Sequence, residues 1–455
     1  MHNDDDIVIT GLACRFAETA DPVAMWRNII SGKSFFTRSR ADDFESDGVL
    51  PFGNRPPAYC ARLDRLYSYS SDETAFSPER KPGENGDVFF ALQMAVDALC
   101  DSNLDIRNLP SSRMAFHLGY ASPFNTTAVS WLQRTHVLDE TVELLRKFLP
   151  DLPASCVGEI RAGLRASLPE LSLSALGSAF GGAISAGVAE RLRIFGPAET
   201  VDAGFLSGHC AIRRAVDDLR AGRADVAIAG AVQPPLSSVV MYGLGGLVQF
   251  TRDDGPRPFS KDASGTLPGE GGAMFVLKRR SDAKRDGNRI YASVENVSTV
   301  APQPDFRTGP QNPANLATTM RNALEASGAD ASTVRMVETS GCAVPAIDAA
   351  EIAAMQAVFD GVEGARIGFG SVTCNIGHTL WASSAAGAIK AVLALSHKIL
   401  PPSKKIDRLN VKAFGSMYWL DEARPWLNGD RKNVRRAFVN AVDYTGACST
   451  LLLGE

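Results

Sequence analysis

The sequence has no run approaching the ~20 consecutive apolar residues that a membrane-spanning helix requires, so no membrane span is expected. It has no strong charge of either sign: 47 Lys and Arg against 51 Asp and Glu leave a net −4. That balance offers no field for nucleic acid. Paired cysteines are missing too. Cys14, Cys60, Cys100, Cys156, Cys210, Cys342, Cys374 and Cys448 are scattered with no Cys-x-x-Cys spacing, which argues against a zinc site; no metal or other cofactor is expected. The opening MHNDDDIVITGLACRF is acidic and runs straight into a strand, so neither a secretory signal nor a transit peptide is expected. Without a secretion signal the cysteines read as free thiols in a reducing cytoplasm.

What remains is ordinary globular material: 455 residues, 45% hydrophobic and 22% charged, long enough for two fused halves. Ile7–Leu12 reads as a buried strand and Val88–Cys100 as an amphipathic helix. Ala224–Val232 (ADVAIAGAV) is a continuous apolar run suited to a central strand. Gly272–Leu277, Tyr291–Val297 and Gly368–Val372 read as strands, Asn315–Ser327 and Ala349–Phe359 as helices, and Ala437–Val442 and Thr450–Leu453 as closing strands. The alternation predicts an α/β layered body. Thr126–Leu176, rich in Leu and mixed charge with Pro150, Pro153 and Pro169, reads as a helical insertion. The punctuated stretch Pro302–Pro313 reads as a loop. Phe205–Leu219 and His378–Leu395 each follow a strand and a glycine-bearing turn, and both are rich in small residues. Two such helices suit close packing at the centre of a duplicated fold, with halves meeting near Leu277–Ile290.

The segment Thr200–Ala211, TVDAGFLSGHCA, carries the framework of a turn that presents a nucleophile between strand and helix. At its centre stands Phe205, which has no nucleophilic or titratable atom.

These segments resemble the β-ketoacyl synthases of the thiolase-like superfamily. The opening VITGLACRF resembles the family's first strand and Phe195–Ala211 its strand and nucleophile elbow. Arg257–Lys278 (RPFSKDASGTLPGEGGAMFVLK) resembles a family signature almost residue for residue. Gly370–Lys390 (GSVTCNIGHTLWASSAAGAIK) resembles the segment bearing the second catalytic histidine. Leu400–Pro402 and Glu422–Leu427 resemble the C-terminal portion. The insertion before Leu171, with SDAKRDGNRIYASV and HKILPPS, resembles the polyunsaturated-fatty-acid and enediyne synthase subtype. The resemblance implies a thiolase-like layered αβαβα fold from two duplicated halves, residues 1–277 (with the insertion at about 126–176) and 278–455.

Such enzymes use a thiolate, lowered in pKa at a helix start, with histidines and an oxyanion hole of backbone N–H groups. Carried over position by position, the resemblance places Phe205 at the nucleophile, Ser340 (in SGCAV) at the first histidine and Thr373 at a lysine, and retains His378. It assigns the substrate pocket to Phe205, Cys342, His378 and Tyr444. Glu270, Glu338 and Asp348 are structural. Where the family has a glycine-rich run, Val442–Gly446 reads VDYTG, and Asp443 is expected to be strained if it must adopt a glycine's φ > 0. Phe205 is either a plug in the pocket or a core aromatic in a decayed one. Cys210, Cys342 and Cys374 are the candidate relocated nucleophiles, although buried cysteine usually acts as a small hydrophobe.

The resemblance therefore implies a degenerate subunit of chain-length-factor type. Its partners are an acyl carrier protein and an active ketosynthase, or a second copy of itself. The alternative is an enzyme of altered chemistry in the old pocket, a malonyl-carrier decarboxylase or acyltransferase. Arg213, Arg214, Arg220 and Arg223 form a basic series that either docks the acidic carrier or is a solvated face.

Overall fold

The computed structural model describes residues 4–38, 57–63, 84–105, 110–121, 125–168, 170–172, 177–236, 241, 243, 245, 248–301, 312–410, 415–427 and 434–455. Most of the loop expected over Pro302–Pro313 lies outside them. Pro313 itself opens a helix rather than closing a loop, because Asn312 accepts the Ala314 N–H as an N-cap and proline suits the first helical turn.

Eleven strands form one continuous sheet. In chain order they are β1 (Ile7–Phe16), β2 (Met114–Gly119), β3 (Ala198–Val201), β4 (Val226–Gln233), β5 (Gly271–Arg279), β6 (Ala292–Val300), β7 (Val334–Glu338), β8 (Ile367–Gly370), β9 (Met417–Trp419), β10 (Arg436–Val442) and β11 (Cys448–Gly454). The spatial order is β9-β8-β7-β10-β11-β6-β1-β5-β4-β2-β3. The duplication is visible in the pairing. In the first half β2 runs parallel to both β3 and β4, then β4 meets β5 and β5 meets β1 antiparallel. In the second half β7 runs parallel to both β8 and β10, then β10 meets β11 and β11 meets β6 antiparallel. The halves join where β1 pairs antiparallel with β6.

Helices cover the sheet in layers. Helices α1 (Asp87–Asp101) and α2 (Gly182–Leu192) bury one outer apolar layer against the first half. Helices α4 (Pro313–Ser327) and α5 (Pro345–Phe359) do the same for the second. Between them lie α3 (Ser207–Arg220) and α6 (Ser383–His397), whose small residues share the central core. Their approach is close: a Cβ on Gly208 would stand 2.8 Å from the Ala385 backbone nitrogen, so only glycine fits. This is the layered, duplicated thiolase-like fold, and the small-residue helices lie at its centre for the steric reason expected. Inside the expected insertion, helices span Thr126–Leu132, Leu138–Phe148 and Ala154–Ser167, and none of them adds a strand to the sheet.

The helix expected from His378 begins only at Ser383. His378 instead runs alongside Pro268: its N–H donates to Leu267 O (2.7 Å), and its carbonyl accepts the Gly269 N–H (3.0 Å). Those bonds hold the residue extended, and a single 3-10 turn, Leu380–Ala382, bridges to α6.

Candidate active site

Strand β3 ends at Val201, and the turn Asp202–Leu206 leads into α3. Gly204 takes φ +58°, the left-handed conformation that glycine adopts without penalty. The turn largely satisfies itself. Ser207 Oγ donates to Gly204 O (2.6 Å) and accepts the Ala203 N–H (3.0 Å). The Leu206 and Ser207 N–H groups bond back to Ala203 O and Gly204 O, and Gly204 N–H reaches Asp202 Oδ1.

Phe205 stands at the head of this turn, 5% exposed. Its ring meets His378 edge-on at a centroid distance of 4.6 Å and Tyr444 at 5.5 Å. Its carbonyl accepts Ser383 Oγ (3.3 Å), and its N–H donates to Asp443 Oδ1 (2.9 Å). Beside the ring is a cavity of about 230 Å³ lined by Val248, Cys342, Val344, Ile347, His378 and Tyr444, among others. The four residues assigned to the pocket, Phe205, Cys342, His378 and Tyr444, therefore do converge on one cavity. Tyr444 also borders a larger open hollow of about 600 Å³ that reaches Tyr120, Trp131, Phe180 and Trp381.

His378 is buried, and its Nδ1 accepts the Leu380 N–H (3.2 Å). Burial lowers its pKa to about 4, so at neutral pH the imidazole is uncharged. Ser340 and Thr373 are tied to each other: Thr373 Oγ1 donates to Ser340 O (3.1 Å). The Ser340 N–H is held by Glu351 Oε1 (2.9 Å), and burial raises that carboxyl to about 7. Behind them Lys390 Nζ and Glu338 Oε2 form a fully buried ion pair at 2.7 Å.

The candidate relocated thiols are poorly suited to attack. Burial raises Cys374 to about 12, raises Cys342 well above the usual thiol range, and raises Cys210. A nucleophilic cysteine needs the opposite shift. Cys374 and His378 form no pair, since His378 lies past the end of the short helix Thr373–Ile376. In the basic series, Arg213 donates to Thr299, Arg214 pairs with Glu199 and Arg223 with Asp218; these three cations already have partners within the chain.

The strain expected at Asp443 is absent. The residue lies outside the positive-φ region, and Gly446 (φ +86°) makes the turn instead. The sequence reading misses its role as the acceptor for Phe205. The readable signal is Asp-x-Thr-Gly, a pattern in which an aspartate side chain caps its own turn: Asp443 Oδ2 accepts both the N–H and the hydroxyl of Thr445, at 3.0 and 2.7 Å. Trp381, Leu380 and Ser383 around the ring carry no such signal.

Among the described residues no cluster of three or more His, Cys, Asp or Glu is placed to hold a metal ion. No helix among them is long and apolar enough to cross a membrane.

Comparison with known proteins bears on the fold and the family. Over 281 residues, 60% of its length, the chain is 37% identical to a phthioceranic/hydroxyphthioceranic acid synthase of Mycobacterium tuberculosis, of which it spans 13%. The solved structure titled PfaC Keto synthase-Chain length factor superposes with a TM-score of 0.83 at 20% identity, covering 99% of this chain and 48% of that one. A type II polyketide-synthase ketosynthase in complex with its acyl-carrier protein, bound to the hexaketide, gives 0.74 at 19% identity, covering 99% of each chain. At such identities the structures establish the fold. The sequence model of the β-ketoacyl synthase N-terminal domain matches residues 4–283, more than half the chain, and that of the C-terminal domain matches residues 291–407; the chain belongs to the β-ketoacyl synthase family.

Proposed function

We propose that this chain is a non-condensing ketosynthase-fold subunit, a partner of chain-length-factor type for an active ketosynthase acting on carrier-bound acyl chains. The observation that carries the reading is Phe205. The turn that presents a nucleophile in this family is intact in its hydrogen bonds, and the side chain it presents is a buried phenyl ring packed on His378 and Tyr444. A phenyl ring forms no acyl bond, and no neighbouring thiol is activated to replace it. Ser340 and Thr373, standing where the resemblance places a histidine and a lysine and bonded to each other, leave His378 without those partners for the alternative of malonyl decarboxylation or acyl transfer. The relatives support the setting: one is titled as a ketosynthase with a chain length factor, another as a ketosynthase with its carrier protein and a bound hexaketide.

The test is to incubate the chain with malonyl- and acyl-loaded carrier protein, record intact masses of both, and assay co-purification with the active ketosynthase. No adduct, no loss of carbon dioxide and a stable complex are expected. An acyl adduct on this chain, or decarboxylated carrier, would overturn the proposal in favour of an enzyme.

A further inference from the structure

We infer that Asp443 is an autoinhibitory group: its carboxylate occupies the one amide at the head of α3 that an acyl carbonyl would need, and so closes the cavity to thioester chemistry independently of Phe205. The inference deepens the non-condensing reading above and rests on it.

This contact is the exception among the hydrogen bonds of the turn. Of the turn's N–H groups, Ala203, Gly204, Leu206 and Ser207 are all satisfied by atoms of residues 202–207. The Phe205 N–H is the one that reaches outside the turn, and it reaches a side chain 238 positions away. Buried backbone N–H groups are seldom left unpaired, so an empty cradle here would draw in any acceptor of suitable shape. The acceptor is supplied by the chain itself. Asp443 is 3% exposed, and its second oxygen is fixed by Thr445, so the carboxylate is held rather than mobile. It sits so tightly that a Cβ on Gly204 would collide with Oδ1.

Acyl transfer develops negative charge on the carbonyl oxygen, and backbone N–H groups aimed at that oxygen stabilise it. A carboxylate bonded to such an N–H removes the donor and places a like charge beside the reacting centre. It also opposes ionisation of any thiol at position 205, because a nearby negative charge disfavours the thiolate. Asp443 is therefore a positioning residue with an electrostatic effect. Replacing Phe205 alone leaves the site inhibited.

The experiment introduces a thiol with Phe205→Cys and follows its alkylation by iodoacetamide against pH, with peptide mass spectrometry separating it from the native cysteines. The same profile is then taken for Phe205→Cys/Asp443→Asn and Phe205→Cys/Asp443→Gly. Neither carrier protein nor partner subunit is needed, so the result is separable from the chain-length-factor reading. The expected outcome is a midpoint above the ordinary thiol value in the single variant, falling by about one to two pH units in both double variants. An unchanged midpoint in the double variants would overturn the inference. A fall with Asp443→Gly but not with Asp443→Asn would also overturn it, since loop packing rather than charge would then be the cause. If the Asp443→Gly double variant fails to fold, the Asp443→Asn one decides; if the Asn variant fails, Phe205→Cys/Asp443→Ser replaces it as the neutral, side-chain-bearing comparison.

Discussion

Replacing Phe205 by alanine measures both the packing and the obstruction attributed to its ring. The ring is almost fully buried and touches two aromatic neighbours, in an apolar cluster that includes Trp381, Leu380, Val248 and Met241. Truncating a buried Phe to Ala typically costs about 3–5 kcal/mol, and edge-on aromatic pairs add roughly 0.5–1.5 kcal/mol each to what is lost. One side of the ring, however, faces the cavity of about 230 Å³, where it has few packing atoms to lose. We expect the lower end, about 3 kcal/mol, and about 1 kcal/mol for Phe205→Leu, which keeps most of the volume. Urea denaturation reads the stability change. Calorimetry with a non-hydrolysable acyl-pantetheine amide reads access, and removal of the ring should tighten binding at least about tenfold, roughly 1.4 kcal/mol. A loss below about 1 kcal/mol would refute the packing argument. A full loss of stability with unchanged affinity would show a core aromatic that obstructs nothing.

Phe205→Cys alone should yield no condensation product with acyl- and malonyl-carrier protein, because Ser340 and Thr373 still stand where catalytic partners are expected; robust product by mass spectrometry would contradict that assignment. Lys390→Met strands the buried Glu338 carboxylate and should cost about 3–5 kcal/mol in denaturation, with much of it recovered by adding Glu338→Leu; a loss under about 1 kcal/mol in the single variant would refute the pairing. His209, fully buried with Nδ1 near Ser449 Oγ, has its pKa lowered by burial to about 3. The unfolded chain therefore binds more protons at that site between about pH 6.5 and 3, and the site's contribution to stability is lost as pH falls through that window. Relative to His209→Gln, the wild type should lose about 2 kcal/mol between about pH 7.5 and pH 5; parallel stability profiles for the two proteins would refute the shift.

The frame of this fold is legible because local patterns encode it. ADVAIAGAV can bury both faces only as a central strand, and every residue of β4 is buried. The glycine and alanine content of α3 and α6 announces close helix contact, and the Gly208–Ala385 approach delivers it. The four pocket residues also come together, since their motifs lie at strand and helix ends, where this architecture gathers side chains. What stays hidden depends on partners remote in sequence. His378 reads as the start of a helix, and it is held extended by residues 267–269. The arginine series reads as either a docking patch or a solvated face; all four of its members are exposed, and what the sequence does not show is that three of them contact Thr299, Glu199 and Asp218 within the chain. Asp443 reads as damage to a glycine loop because a substitution is judged against the backbone it replaces. In the folded chain the left-handed position falls on Gly446, and the aspartate is left to serve the amide of Phe205. Positions 205 and 443, far apart in sequence, thus meet in one hydrogen bond, donated by the backbone N–H of Phe205 to Asp443 Oδ1, and that bond is what the inference on Asp443 puts to the test.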